Sequence, residues 1–162
     1  MKNILLIFSM GLFTQTVRAQ LKTTPVCPVF SVDVMAGTVN DLYPKSAIGE
    51  VQATLPCFTE TILQDAGTTC AGVFYKDRDI SFYTERRYIQ VGENFKGKLS
   101  PALLGTSRSN LFGTFGYPKI KDVNWDAFQM GYGTLILYYN KAGKINKIVM
   151  STMSTETIKL CE

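Results

Sequence analysis

The segment LILYYNKAGKINKIVM, residues 135–150, decides the fold. Its two halves are rich in Leu, Ile, Val and Tyr, side chains that suit a pleated, half-buried surface. Asn140-Lys141-Ala142-Gly143 separates them, a polar stretch ending in glycine that marks a hairpin turn. Residues 134–139 and 144–150 are therefore expected as paired antiparallel strands. Side chains alternate across a strand, so Leu135, Leu137 and Tyr139 face the core and Thr134, Ile136 and Tyr138 face outward. Upstream, residues 125–130 supply another strand, joined through Gly131-Tyr132-Gly133. Before it Leu111, Phe112 and Phe115 form a helical stripe; Ser107 or Ser109 offers an N-cap, and Gly116-Tyr117-Pro118 stops the helix.

The same order of elements occurs earlier in the chain. Ser46 is placed to cap a helix carrying Ile48, Val51 and Leu55, which Pro56 ends. Residues 72–75, 80–83 and 88–91 then read as strands, with polar turns at 76–79 and 84–87. The expected fold class is α+β: two tandem units of one helix plus a three-stranded antiparallel sheet, residues 38–91 and 103–152, forming one domain over 20–162. Phe30, Val32 and Val34 alternate with Ser31 and Asp33, which adds an N-terminal strand. Residues 92–105 carry Gly97 and Pro101 and read as a connector, and 155–161 is too short for any periodicity to be read.

A unit ending in Phe115-Gly116-x-Pro118, followed by Tyr132, Leu135, Leu137, Tyr139, Asn140, Gly143, Lys144 and Ile148, resembles the SmpA/BamE-like envelope proteins. Two such units in tandem resemble the β-lactamase inhibitor protein fold. The resemblance covers residues 40–152 and implies a protein-binding role. Those inhibitors hold a disulfide in the loop after the helix, which Cys57 and Cys70 match; the second unit has no cysteine pair in the corresponding loop.

At its N-terminus the chain reads as a secretory leader. Lys2 precedes a short apolar run at residues 4–13, and Val17-Arg18-Ala19 places small side chains before a cleavage point after residue 19. That run is about half the length needed to span a bilayer. Cleavage removes Lys2 and Arg18, half of the formal charge of +4, so neither nucleic acid nor an anionic membrane is expected as partner. The expected destination is periplasmic or secreted, where the four cysteines can pair. Four cysteines allow three connectivities. The favoured one joins Cys57 to Cys70 across the turn-like Asp65-Ala66-Gly67, worth about 3 kcal/mol in the loop-entropy model, and Cys27 to Cys161.

Catalytic chemistry finds little support. The chain has no histidine, no Ser-x-x-Lys and no C-x-x-C, so the usual activated nucleophiles and redox dithiols are missing. Asp77 and Asp79 sit among Lys76 and Arg78 in a turn, without the further ligands calcium needs. Gly131 and Gly133 open a strand instead of a helix, so they do not cradle a phosphate. No enzyme activity, cofactor or metal is expected. What remains is aromatic: Tyr83, Tyr88, Ile136 and Tyr138 share one outward face, with Phe74 or Tyr75 beside them and Arg86 and Arg87 on its rim. The expected function is a non-catalytic exported protein that holds a protein partner on that open face, of inhibitor, immunity or envelope-assembly type. The alternative is a small-molecule or lipid carrier with a cavity between helix and sheet.

Overall fold

The two halves of the 135–150 segment are strands, and a sheet of eight is built around them. In the computed structural model, which describes residues 26–65 and 70–161, the elements in chain order are β1 (Ser31–Asp33), β2 (Thr38–Val39), α1 (Ile48–Thr54), β3 (Glu60–Ile62), β4 (Gly72–Tyr75), β5 (Ile80–Tyr83), β6 (Tyr88–Gly92), β7 (Lys98–Ser100), a 3-10 turn (Arg108–Asn110), α2 (Phe112–Phe115), β8 (Ile120–Lys121), β9 (Trp125–Met130), β10 (Gly133–Tyr139) and β11 (Ile145–Ser151). The leader expected over residues 1–19 lies outside the described residues. None of the described helices is long and apolar enough to cross a membrane.

The α+β expectation is overturned. Strands β3 to β6 and β8 to β11 form one eight-stranded sheet of order β3-β4-β5-β6-β11-β10-β9-β8, and β2-β1-β7 form a second, three-stranded one. Each expected three-stranded group has a fourth, very short strand in front of it, β3 or β8, and the two groups are continuous through the antiparallel β6–β11 pairing. The helices shrink to seven and four residues, too short to form a layer of their own. Neither begins as expected. Ser46 accepts a hydrogen bond from the Tyr43 amide instead of capping α1, and α2 follows Leu111 with no side-chain cap. The connector at 92–105 is also more than a linker, because β7 lies within it and pairs parallel with β1.

Alternation explains the core. Val73, Tyr75, Ile80, Phe82, Ile89, Val91, Phe128, Leu135, Leu137, Tyr139, Ile148 and Met150 all bury the same face of the large sheet. Packed with them are Val32 and Val39 of the small sheet, Phe30 and Val34 flanking β1, Val51 of α1, Leu55 at its C-cap, and Leu103 and Leu111. Each such fully buried side chain is worth about 1.5–3 kcal/mol in transfer free energy. The α1 end is tied to this layer because the buried Tyr75 hydroxyl donates to the Leu55 carbonyl at 2.7 Å.

The cysteine pairing differs from the expected one. Cys27 bonds Cys57, and Cys70 bonds Cys161. Loop entropy ranks how much each bond would stabilise, not which sulfurs meet. Packing decides that: Cys27, ahead of β1, and Cys57, three residues past α1, both pack against the main core. Two disulfides are compatible with an exported protein.

Candidate functional site

The second face of the large sheet carries the residues singled out from sequence. Tyr83 and Tyr88 are cross-strand partners with rings stacked at 4.4 Å, and Phe74, instead of Tyr75, meets Tyr83 edge-on at 5.3 Å. Trp125, Ala127, Ile136, Tyr138 and Val149 complete the cluster. Lys147 sits on this side with its ammonium 3.8 Å above the Tyr138 ring, and burial pushes its pKa down.

This face is not open. Residues 154–161 leave β11, turn back and lay Ile158, Leu160 and Cys161 on the aromatic cluster. The Cys161 amide donates to the Tyr88 hydroxyl at 3.0 Å, the Cys70–Cys161 bond fixes the end, and Glu156 pairs with Lys119. Tyr88 is 1% exposed and Ile136 5%, so two of the four expected contact residues are already covered by the chain itself. Burial raises the Tyr88 phenol well above its usual range. The sequence reading missed the cover because a seven-residue tail has no periodicity. Its one signal is composition: Ile158, Leu160 and Cys161 are apolar in an otherwise polar stretch and need somewhere to go.

Arg86 and Arg87 lie on the β5–β6 turn, as expected, and line a cavity of about 380 Å³ with Glu85 on the same turn and Met153, Thr157 and Lys159 from the tail. Asp77 and Asp79 serve the turn that holds them. Asp77 pairs with Arg78 at 3.2 Å, and an Asp79 carboxylate oxygen accepts the Asn94 amide at 2.8 Å. Among the described residues no group of three or more potential ligands could hold a metal ion.

A different part of the surface gathers four of the exposed large apolar residues. Between α2 and β9 is a cleft of about 420 Å³ whose lining includes Leu111, Phe112, Tyr117, Lys121 and Phe128. Phe112 is 56% exposed and Tyr117 84%, with ring centroids 4.5 Å apart. Ile120 on β8, the edge of the large sheet, and Val123 just beyond extend the patch. A four-residue helix explains the exposure: α2 turns Phe115 onto Phe128 at 5.4 Å but is too short to bury Phe112 as well.

Arg108 and Asp126 make the polar wall of this cleft. The Arg108 Nε donates to one Asp126 carboxylate oxygen at 3.0 Å and its terminal nitrogens donate to the other oxygen and to the Asp122 and Val123 carbonyls. Tyr139 donates its hydroxyl to the same carboxylate at 2.7 Å and lies 4.8 Å beneath the guanidinium. Asp126 is 4% exposed and the Arg108 side chain 27%, so the pair is a half-buried, bidentate clamp between the 3-10 turn and β9. A signal for it existed in the sequence, since Asp126 shares strand parity with Phe128 and Met130 and therefore points inward, where a carboxylate requires a partner. No family model, curated protein or solved structure matches the chain.

Proposed function

We propose that this is an exported, non-catalytic binding protein that holds a protein partner in the cleft beside α2. The observation that carries the reading is the pair of exposed aromatic rings, Phe112 and Tyr117, at the mouth of a cleft floored by Leu111 and Phe128. Large exposed aromatics contribute most where a partner desolvates them, and apolar residues continue from the cleft across Ile120 to Val123. The Arg108–Asp126 clamp fixes the walls, so the site is preorganised. Absence of histidine from the whole chain supports binding over catalysis. The tyrosine face is a poorer candidate, because its tail already fills it.

A second reading, a small apolar ligand in the same cleft, is favoured by the cleft's position between helix and sheet and by its volume of about 420 Å³, within the range of small-molecule sites. One experiment separates the two. Proteins bound to the wild type in culture fluid or periplasm are compared with those bound to Phe112→Ser/Tyr117→Ser. Loss of a wild-type partner, with protection of Val123 from side-chain labelling in the complex, supports the protein-binding reading. Protection confined to the cleft, with a ligand retained in native mass spectrometry, supports the carrier. Partners unaffected by the double substitution refute the cleft.

A further inference from the structure

Three hairpin turns in the large sheet share one design. Residues 76–79, 84–87 and 140–143 each join neighbouring strands, and the fourth residue of each takes a left-handed backbone: Asp79 at φ 56°, Arg87 at 55° and Gly143 at 68°. Glycine adopts that conformation freely, whereas a side chain costs about 1 kcal/mol or more. Asp79 offsets the cost locally through the Asn94 amide. At Arg87 the local bonds belong to the backbone. Its carbonyl accepts the Ser151 hydroxyl at 2.9 Å and the Thr152 amide at 3.2 Å, which a glycine carbonyl would do equally well. The Arg87 side chain instead lines the cavity between the turn and the tail.

Among the described residues, Arg87 lines that cavity from the turn and Lys159 from the tail, with Arg86, Glu85, Thr157 and Met153 completing the lining. Guanidinium forks match tetrahedral oxyanions, and a threonine hydroxyl can donate to one. A volume of about 380 Å³ exceeds what a bare oxyanion needs and falls in the range of small organic ligands.

We propose that this cavity is a binding site for a phosphate or sulfate ester of a small polar molecule, held by Arg87 from the sheet and by Lys159 and Thr157 from the tail. The site is separate from the α2 cleft, and either can fail without the other. Because its two walls come from the turn and from the segment ending at Cys161, an occupied site also clamps the tail to the sheet.

Calorimetric titration of the intact, disulfide-bonded protein at low ionic strength tests the site, with glucose 6-phosphate, glucose and inorganic phosphate as probes. Glucose 6-phosphate should bind, phosphate should bind more weakly and glucose should give no heat. Arg87→Gly should weaken glucose 6-phosphate by about tenfold or more, the scale of one lost charge-assisted bidentate contact, while its thermal midpoint stays level or rises. Lys159→Gln, on the exposed tail, should weaken binding in the same direction. No heat with any anion overturns the proposal, as does wild-type affinity in both variants. Binding to phosphatidylglycerol vesicles without binding to glucose 6-phosphate overturns the small-ester assignment in favour of a lipid headgroup.

Discussion

Replacing Cys161 with serine removes the one covalent tie between the tail and the sheet. The Cys70–Cys161 bond spans 91 residues and the Cys27–Cys57 bond spans 30, and the two loops do not overlap in sequence. The loop-entropy model therefore treats each alone and gives about 4.6 kcal/mol for the longer one at 25 °C, a ceiling within the usual range of about 2–5 kcal/mol. At roughly 3 °C per kcal/mol for a chain of this size, the thermal midpoint of Cys161→Ser should fall by about 10 °C. A second readout asks whether the tail has lifted. Trp125 is the only tryptophan and lies in the cluster that Ile158, Leu160 and Cys161 cover. Its emission should shift to longer wavelength and become more open to acrylamide in Cys161→Ser, and Cys70→Ser/Cys161→Ser should behave alike without a leftover thiol. A fall in midpoint with unchanged Trp125 emission would mean that the bond acts on the unfolded chain alone. Midpoint and emission both unchanged would refute the account of the tail as a fastened cover.

Two further outcomes follow from buried and paired charges. Asp126→Ala leaves the half-buried Arg108 guanidinium and the Tyr139 hydroxyl without their shared carboxylate, and denaturant unfolding should lose about 1.5–3 kcal/mol, the scale of losing hydrogen bonds to a charged group; a loss below about 1 kcal/mol would contradict the clamp. Glu156 has its pKa lowered from 4.5 to about 2, chiefly because Lys119 donates to it, with a smaller part from Ser154. A depressed carboxylate stabilises the native contact above its unfolded value, so the contact holds above pH 4.5 and weakens as pH falls toward 2. Amide exchange in residues 154–161 should accelerate across that window, and Glu156→Gln should remove the pH dependence.

The strands that alternate over four or more residues were legible in the sequence. All seven expected strands occur, at 31–33, 72–75, 80–83, 88–92, 125–130, 133–139 and 145–151, because a side-chain period of two reads out directly which residues face the core. The strands that escaped notice are β2, β3, β7 and β8, each of two or three residues and too short to carry a period. Their omission had consequences for the fold class. With β3 and β8 included and the seam at β6–β11 closed, one eight-stranded sheet replaces two small ones, and the short helices contribute Val51 and Phe115 to its core side.

The candidate sites divide in the same way. Alternation correctly separated Tyr83, Tyr88, Ile136 and Tyr138 from Ile80, Phe82, Leu135 and Leu137, which cover opposite faces of the sheet. It said nothing of what lies on the second face. The sequence by itself determined the longer strands, the two-sidedness of the sheet and the lack of an imidazole anywhere in the chain, since each is a local or compositional property. Only the tertiary structure decided that the tail covers the tyrosines, that Cys70 finds Cys161, that Arg108 clamps Asp126 and that Phe112 and Tyr117 stand exposed. These contacts join residues far apart in the chain, and their free energy comes from surfaces and charges that meet only once the sheet has closed.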